Sequence, residues 1–401
     1  MILTALAGMA MAASWPSPLR AVGDATPKLT ARVVYLSKAY ADPLPLSLLE
    51  DVAADQGLAG ARYGHQQTVG TGRFLGHRHE LVEAVVGQQQ DVVAKAAELL
   101  AAGERVIIAD LIADDLLAVA DLPGASDAII LNVRAPDDRL RQRDCRRNVF
   151  HIAPSFAMRT DALAQYLAWK GWRRALLVTG SAPSDAPFVA ALQRAYSRFG
   201  LKIVETRNYA FKAGSRRMDT GHQQIQAQMP LVTQGAPPHD VVLVADTGEV
   251  FGEYLPFRTA EPKPVVGTHG LVATTWHRAF EQFGAKTMQQ RFEDFAKRKM
   301  TERDHLVWLG VRTMGEAVLR SGTSDVAALR AFMLSDAYVV AGFKGTGLTF
   351  RTWNRQMRQP LLIMGPRALV SISPQEGYLH PKFVTDTLGF DEAETACGQP
   401  G

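Results

Sequence analysis

The chain has 401 residues, 47% of them hydrophobic and 21% charged, with a formal net charge of +4. That is enough for two domains with cores of ordinary size, and it excludes a disordered or collagen-like chain. The small positive excess is spread without a lysine-rich block, so it argues against nucleic-acid binding and makes no special case for acidic ligands.

The opening residues, MILTALAGMAMAAS, form an apolar run ending in Ala10-Met11-Ala12. This matches the hydrophobic and cleavage regions of a signal peptide, although the basic start is missing. Pro16, Pro18, Gly23 and Pro27 follow, so residues 1–27 read as signal peptide and flexible lead-in. The run is too short to span a bilayer, and no other stretch reaches that length. The expectation is an exported, soluble protein with no transmembrane segment.

From residue 31, short β-branched runs alternate with longer helical ones. ARVVYLS (31–37), RVIIADL (105–111), DAIILNV (127–133) and VFHIAP (149–154) read as a first series of strands. RALLVTG (174–180), LKIVETRNY (201–209), DVVLVAD (240–246) and PVVGTHG (264–270) read as a second. They are apolar on both faces, as buried parallel strands must be. GTGRFLG (70–76) follows a helical stretch and reads as a turn rather than a phosphate cradle. QDVVAKAAELLAAG (90–103) places Val92, Val93, Ala96, Leu99 and Leu100 on one helical face, with Gly103 as its stop. TDALAQYLAWKGW (160–172) is a second helix, and a third runs from Asp185, as its cap, to Arg198. TERDHLVWLGVRTMGEAVLRSG (301–322) is a long helix out of step with the alternation, followed by SDVAALRAFMLSD (324–336). GLTFRTW (347–353) and PLLIMGPRALVSIS (360–373) are strand-like. Two strand–helix–strand series predict an α/β fold of two doubly wound, Rossmann-like lobes.

There is no GxSxG elbow, Walker loop, HExxH or CxxC pair, and no nucleophile–base pair can be assembled, so an enzyme is not expected. His269 with Asp246 is the nearest candidate, and a structural histidine is the stronger reading. His77 and His79 share one strand face with Glu80 nearby, an arrangement more often surface than metal site. Ligands of open α/β sheets bind beyond the carboxyl ends of the strands. Those ends carry Tyr40 and Asp42, then Asp114 and Asp115, then Arg134, Asp137 and Asp138. In the second series they carry Asp246, Glu249 and His269. Carboxylates gathered in a cleft need a cation, an ammonium group or arginines. The alternative is that Asp114 and Asp115 cap a helix, while Asp137 and Asp138 pair with Arg139, Arg141 and Arg143. In an exported chain Cys145 and Cys397 are expected to pair, closing a loop of about 250 residues worth at most roughly 5 kcal/mol. Two unpaired thiols are the alternative.

Over roughly residues 30 to 375 the order of these segments resembles type I periplasmic solute-binding proteins of the branched-chain amino-acid receptor kind. GLAGARYG (57–64) and DAIILNVRAPDDRL are similar to that family's first lobe, and MRTDALAQYLAWKGWRRALLVTG to the start of its second. HLVWLGVRTMGEAVLRSG resembles the helix that returns to the first lobe, and AGFKGTGLTF (341–350) the final crossover. RAPDDRLRQRDCRRNVFHIAPS, VVLVADTGEVFGEYLPFRT, WNRQMRQP, LVSISPQEGYLH and LGFDEAETAC resemble a subgroup: ABC-transporter binding proteins associated with PQQ-dependent alcohol oxidation.

The resemblance implies two lobes joined by a multi-strand hinge. Lobe 1 would take residues 28–155 and 271–338, and lobe 2 residues 156–270 and 339–380, with 381–401 as a tail. It implies capture of a small solute by hinge closure and delivery to an inner-membrane ABC permease. Receptors of this kind hold an amino acid with hydroxyl and backbone groups, whereas Asp114 stands at the matching position here. An aspartate there would repel an α-amino acid and favour a hard cation. Asp114, Asp137, Asp138 and Glu249 are then the candidate oxygen ligands for a lanthanide or calcium ion, carried as cargo rather than as a cofactor. An amino acid-like or alcohol-derived organic solute is the competing expectation, and a ligand-free sensor or interaction subunit a third.

Overall fold

A computed structural model describes residues 27–41, 53–210 and 222–398. All but Pro27 of the expected signal and lead-in segment lies outside the described residues, as does Asp42. The first lobe runs through β1 (Leu29–Lys38), α1 (Leu58–Leu75), β2 (His77–Val86), α2 (Val92–Ala101), β3 (Val106–Asp110), α3 (Ala113–Ala120), β4 (Ile129–Asn132) and β5 (Val149–His151). Its strands form one parallel sheet in the order β2-β1-β3-β4-β5. β3 and β4 are buried at every position, which is why their runs carry no polar alternation.

The chain then crosses into the second lobe. There it forms α4 (Phe156–Lys170), β6 (Arg174–Thr179), α5 (Asp185–Arg198), β7 (Lys202–Asn208), α6 (His222–Thr233), β8 (Val241–Ala245), α7 (Leu255–Arg258), β9 (Val265–Gly267) and β10 (Leu271–Thr274). It returns as α8 (Ala285–Ala296), α9 (Glu302–Ser321), α10 (Val326–Met333), β11 (Val340–Ala341), β12 (Gly347–Phe350) and β13 (Met357–Arg358). A last crossing delivers β14 (Leu361–Met364) and β15 (Leu369–Ser373) to the second sheet, in the order β15-β14-β10-β9-β8-β6-β7. β14 pairs antiparallel with both neighbours, and β6 to β10 pair in parallel. The predicted two-lobe α/β fold is the observed one.

The out-of-step helix is α9. Thr301 and Asp304 close a capping box at its start, and Gly322 ends it in the left-handed region. It is buried on most sides because it lies between the first sheet and α1. That contact is close: a Cβ on Gly60 would meet the Asp304 carbonyl oxygen at 2.2 Å, so only glycine fits. One apolar cluster joins α9, α8 and β11–β13 to the first sheet, and another joins α4 and α5 to the second.

The structure shifts several expectations. Residues 70–75 are the last turns of α1, closed by left-handed Gly76, rather than a separate turn. β2 is an edge strand without apolar alternation, which hides it from a periodicity reading. α4 begins at Phe156 because Ser155, not a later residue, caps it through Met158 N. Asp185 opens α5 but does not cap it; its carboxylate instead accepts from Thr247 N at 2.7 Å. Two lobe boundaries also move. β10 is hydrogen-bonded inside the second sheet, so lobe 2 extends past residue 270 to Thr274. β11–β13 pack in the first lobe's core, so lobe 1 extends past 338 to Arg358.

Candidate functional site

The carboxyl ends of both sheets face a cleft of ≈ 330 Å³ between the lobes, within the range of small-molecule sites. A second cavity, ≈ 40 Å³, lies at the amino ends of β1 and β3 among Ala31, Val33, Leu81 and Met314, and has room only for water.

Arg134 is the cationic wall on lobe 1. Its backbone N–H donates to Asn132 Oδ1 at 3.1 Å, and its guanidinium lies 4.6 Å over the Tyr40 ring. Its Nη1 reaches Asp110 Oδ1 at only 3.5 Å, because Asp110 is already held by Arg303 Nε at 2.9 Å and by the Tyr35 hydroxyl at 2.8 Å. Arg134 thus enters the cleft positioned but with hydrogen-bonding capacity to spare. Tyr40 stays behind it, donating to Asp115 Oδ2 at 2.7 Å.

The floor is built by Arg159 of α4 and Glu302 at the start of α9. Arg159 donates to Ala273 O at 2.8 Å and to Glu302 Oε1 at 3.1 Å, an ion pair that joins the lobes. Glu302 also accepts from Thr275 N at 2.5 Å and Thr275 Oγ1 at 2.9 Å. Burial raises its pKa, but Arg159 and the Thr275 donors outweigh that and hold it below the ordinary range. Behind Thr275, buried Lys344 donates to the Thr275 carbonyl. Burial pushes the Lys344 ammonium down to about 7, with Glu302 opposing and Arg159 reinforcing the shift. Above pH 7 the folded chain therefore lacks a proton that the unfolded chain keeps until about pH 10.4. Stability is expected to rise across that window with a slope contribution of about 1.4 kcal/mol per pH unit. Denaturant titrations from pH 7 to 9.5 check this, and Lys344→Met should remove that part of the slope.

Lobe 2 supplies an apolar wall and a carboxylate. Phe156 and Phe188 meet edge-to-face at 5.5 Å, with Leu163 and Val272 beside them on the cleft. Glu249 follows β8 in the left-handed region (φ 52°), an uncommon conformation for a non-glycine residue. Among the described residues its carboxylate has no hydrogen-bond or ion-pair partner. Asp246, three residues earlier, is spent inside the turn: it accepts from Val250 N at 3.1 Å and from Phe251 N and Gly252 N at 2.7 Å. His269 lines the cleft with Nδ1 3.0 Å from Thr268 Oγ1, packed so close that a Cβ on Gly252 would meet that Nδ1 at 2.1 Å. His269 and Asp246 therefore do not form the acid–base pair considered above.

Of the predicted ligand set, Arg134, Asp246, Glu249 and His269 line the cleft; Tyr40, Asp114, Asp115, Asp137 and Asp138 do not. Asp114 is 83% exposed in the first turn of α3 and pairs with Arg139. Asp115 holds Lys38 at 3.4 Å and Tyr40. Asp137 faces Arg139 Nε at 3.9 Å, and Asp138 accepts from Ala157 N at 2.9 Å at the start of α4. The alternative holds in part: Asp114 and Asp115 stand in the first turn of α3 without capping it, Asp137 faces Arg139, and Asp138 bonds the start of α4 rather than an arginine. Asp114, Asp137, Asp138 and Glu249 are not brought together, and no described group of three or more His, Cys, Asp or Glu could hold a metal ion. Sequence reasoning missed Phe156, Arg159, Phe188 and Glu302 because they lie inside helices or their first turns rather than on strand ends. The signal available was position for Phe156 alone, which opens a helix just after the chain changes lobe; Glu302 opens α9 only after α8 has intervened.

Two doubly wound lobes, three crossovers and a lined gap between them define a hinged solute binder. The chain belongs to the periplasmic binding protein family, whose model matches residues 51–367. No curated protein matches it significantly. Among solved structures it is similar to a leucine-, isoleucine-, valine-, threonine- and alanine-binding protein from Brucella ovis in a closed conformation. That match has TM-score 0.68 and 14% identity, covering 93% of this chain and 99% of the other. It is similar to a branched chain amino acid ABC transporter periplasmic ligand-binding protein from Burkholderia xenovorans LB400, with TM-score 0.68, 14% identity and coverages of 92% and 99%. It is also similar to an ABC transporter solute binding protein from Rhodopseudomonas palustris BisB5 in complex with 3,4-dihydroxybenzoic acid, with TM-score 0.61, 13% identity and coverages of 86% and 97%. At these identities the likeness is one of fold. No described helix is long and apolar enough to cross a membrane.

Proposed function

We propose that this chain is the exported, periplasmic solute-binding component of an ABC transporter, and that its solute is a small amphoteric organic molecule with an apolar body. One observation carries the ligand class. Arg134 and Glu249, the cleft charges with the fewest partners among the described residues, are opposite in sign and on opposite lobes, and Phe156 and Phe188 line the same cleft. A carboxylate on Arg134 and an ammonium group on Glu249 would satisfy both, and the pairing forms fully only as the lobes close. The objection to an amino acid-like solute rested on Asp114, which is paired with Arg139 away from the cleft. A subunit that had lost its ligand would fill the gap with its own side chains, whereas ≈ 330 Å³ is open here. The segments resembling PQQ-associated binding proteins supply the proposed setting, beside periplasmic alcohol oxidation and an inner-membrane permease.

Thermal-shift and calorimetric screening tests the reading with leucine, isoleucine and valine, their carboxylate-only and amine-only analogues, 3,4-dihydroxybenzoate, simple alcohols, Ca²⁺ and La³⁺. The expected result is stabilisation by at least one amphoteric solute, about 2.7 kcal/mol when present at a hundred times its Kd, and little from its single-charge analogues. Stabilisation by La³⁺ or Ca²⁺ alone would restore the hard-cation reading and end this one.

A further inference from the structure

Type I lobes are linked by three stretches of chain, here residues 152–155, 275–284 and 359–360. The segment after β15 adds a fourth link. It leaves lobe 2 with Ser373 Oγ donating to Ala162 O at 2.8 Å and Gln375 N donating to Gln165 Oε1 at 3.1 Å, both on α4. Its middle is gripped by the same lobe. Gly389 N donates to Asp161 at 2.8 Å, while Gly389 O accepts from Arg194 at 3.0 Å and Arg198 at 2.8 Å. Its other side is gripped by the first lobe's small sheet. Asp386 sits between Arg351 at 2.8 Å and Arg358 at 2.9 Å, and the Phe390 carbonyl accepts from Arg351 Nη1 at 3.1 Å. The end is covalent: Cys397 is disulfide-bonded to Cys145, in the loop between β4 and β5 of lobe 1.

We infer that residues 374–397 form a strap beside the hinge that limits how far the lobes rotate apart. The last point held by lobe 2 is Glu394, through Arg194 at 3.2 Å, and the first point fixed covalently to lobe 1 is Cys397. Three residue steps span at most roughly 11 Å when fully extended. A larger excursion there must first break the Glu394 and Gly389 contacts, including those to Asp161, which has no exposed surface. The strap thereby sets the opening amplitude and, with it, the rate at which a solute can leave the cleft.

The test uses the full-length, ligand-free protein, so its failure leaves the transport reading untouched. One variant is Cys145→Ser with Cys397→Ser. A second keeps the disulfide but carries six Gly/Ser residues inserted between Thr395 and Ala396. Both are compared with the parent by small-angle X-ray scattering and by amide exchange at the three crossovers, with circular dichroism as the folding control. The expected result is a larger radius of gyration in both variants and crossover exchange faster by about tenfold. If the double variant fails to fold, the lengthened strap decides alone. A lengthened strap that matches the parent overturns the inference, even where the double serine variant loosens, because removal of the cross-link would then act on the fold and not on strap length.

Discussion

Asp386→Ala is expected to cost the folded protein about 3–5 kcal/mol. The Asp386 side chain is 1% exposed, and it accepts from Arg351 Nε at 2.8 Å and from Arg358 Nε at 2.9 Å. Arg351, itself 1% exposed, spends three of its four remaining donors on the Thr385, Leu388 and Phe390 carbonyls. Truncation would leave two buried guanidinium groups facing one another with no anion between them. The Trp353 and Phe383 rings that flank them supply only partial compensation. Asp386→Asn keeps the shape and one acceptor, so its cost should fall between that of alanine and none. Urea unfolding of both variants checks the order. Equal midpoints for alanine and the parent would show that the pair contributes no net stability.

Arg134→Ala is expected to weaken binding of whichever screened solute stabilises the parent by roughly 30- to 1,000-fold, equivalent to about 2–4 kcal/mol. The fold should barely respond, because Asp110 keeps Arg303 at 2.9 Å and the Tyr35 hydroxyl at 2.8 Å. Arg134→Lys should recover only part of the loss, since a point charge replaces a planar fork stacked on Tyr40. Calorimetry gives the affinities and thermal melting the control. An unchanged affinity would move the anionic end of the solute away from Arg134.

The lobes were legible because buried parallel strands are nearly continuous apolar runs, as in VVLVA of β8 and in VIIAD of β3, where only the terminal Asp110 is polar. β2 was not, since an edge strand reading HRHELVEAVV satisfies neither an apolar run nor a clean alternation. The cleft divided the same way. Arg134, Glu249 and His269 fall where the strand-end rule looks. Asp114 and Asp138 fall there too, yet each serves the first turn of a helix, and sequence cannot separate those two uses of an aspartate after a strand. Arg159 and Glu302 were invisible for the converse reason. Each sits in an ordinary helical pattern, and only the return of the chain between lobes brings them within 3.1 Å. The cysteines were read through compartment chemistry, and their disulfide is present.

Trp276 lies in the second crossover, 2% exposed, with its ring stacked on His305 of α9 at 4.3 Å and 9°. Burial pushes that imidazole well below its ordinary range, so the stacked partner is neutral at physiological pH. Trp276 belongs to the first lobe's apolar cluster together with Phe280 and Trp308, so the stacked pair fastens the start of the crossover to that lobe. The free link between the two cores at this crossing is thereby shortened to the residues around Thr275.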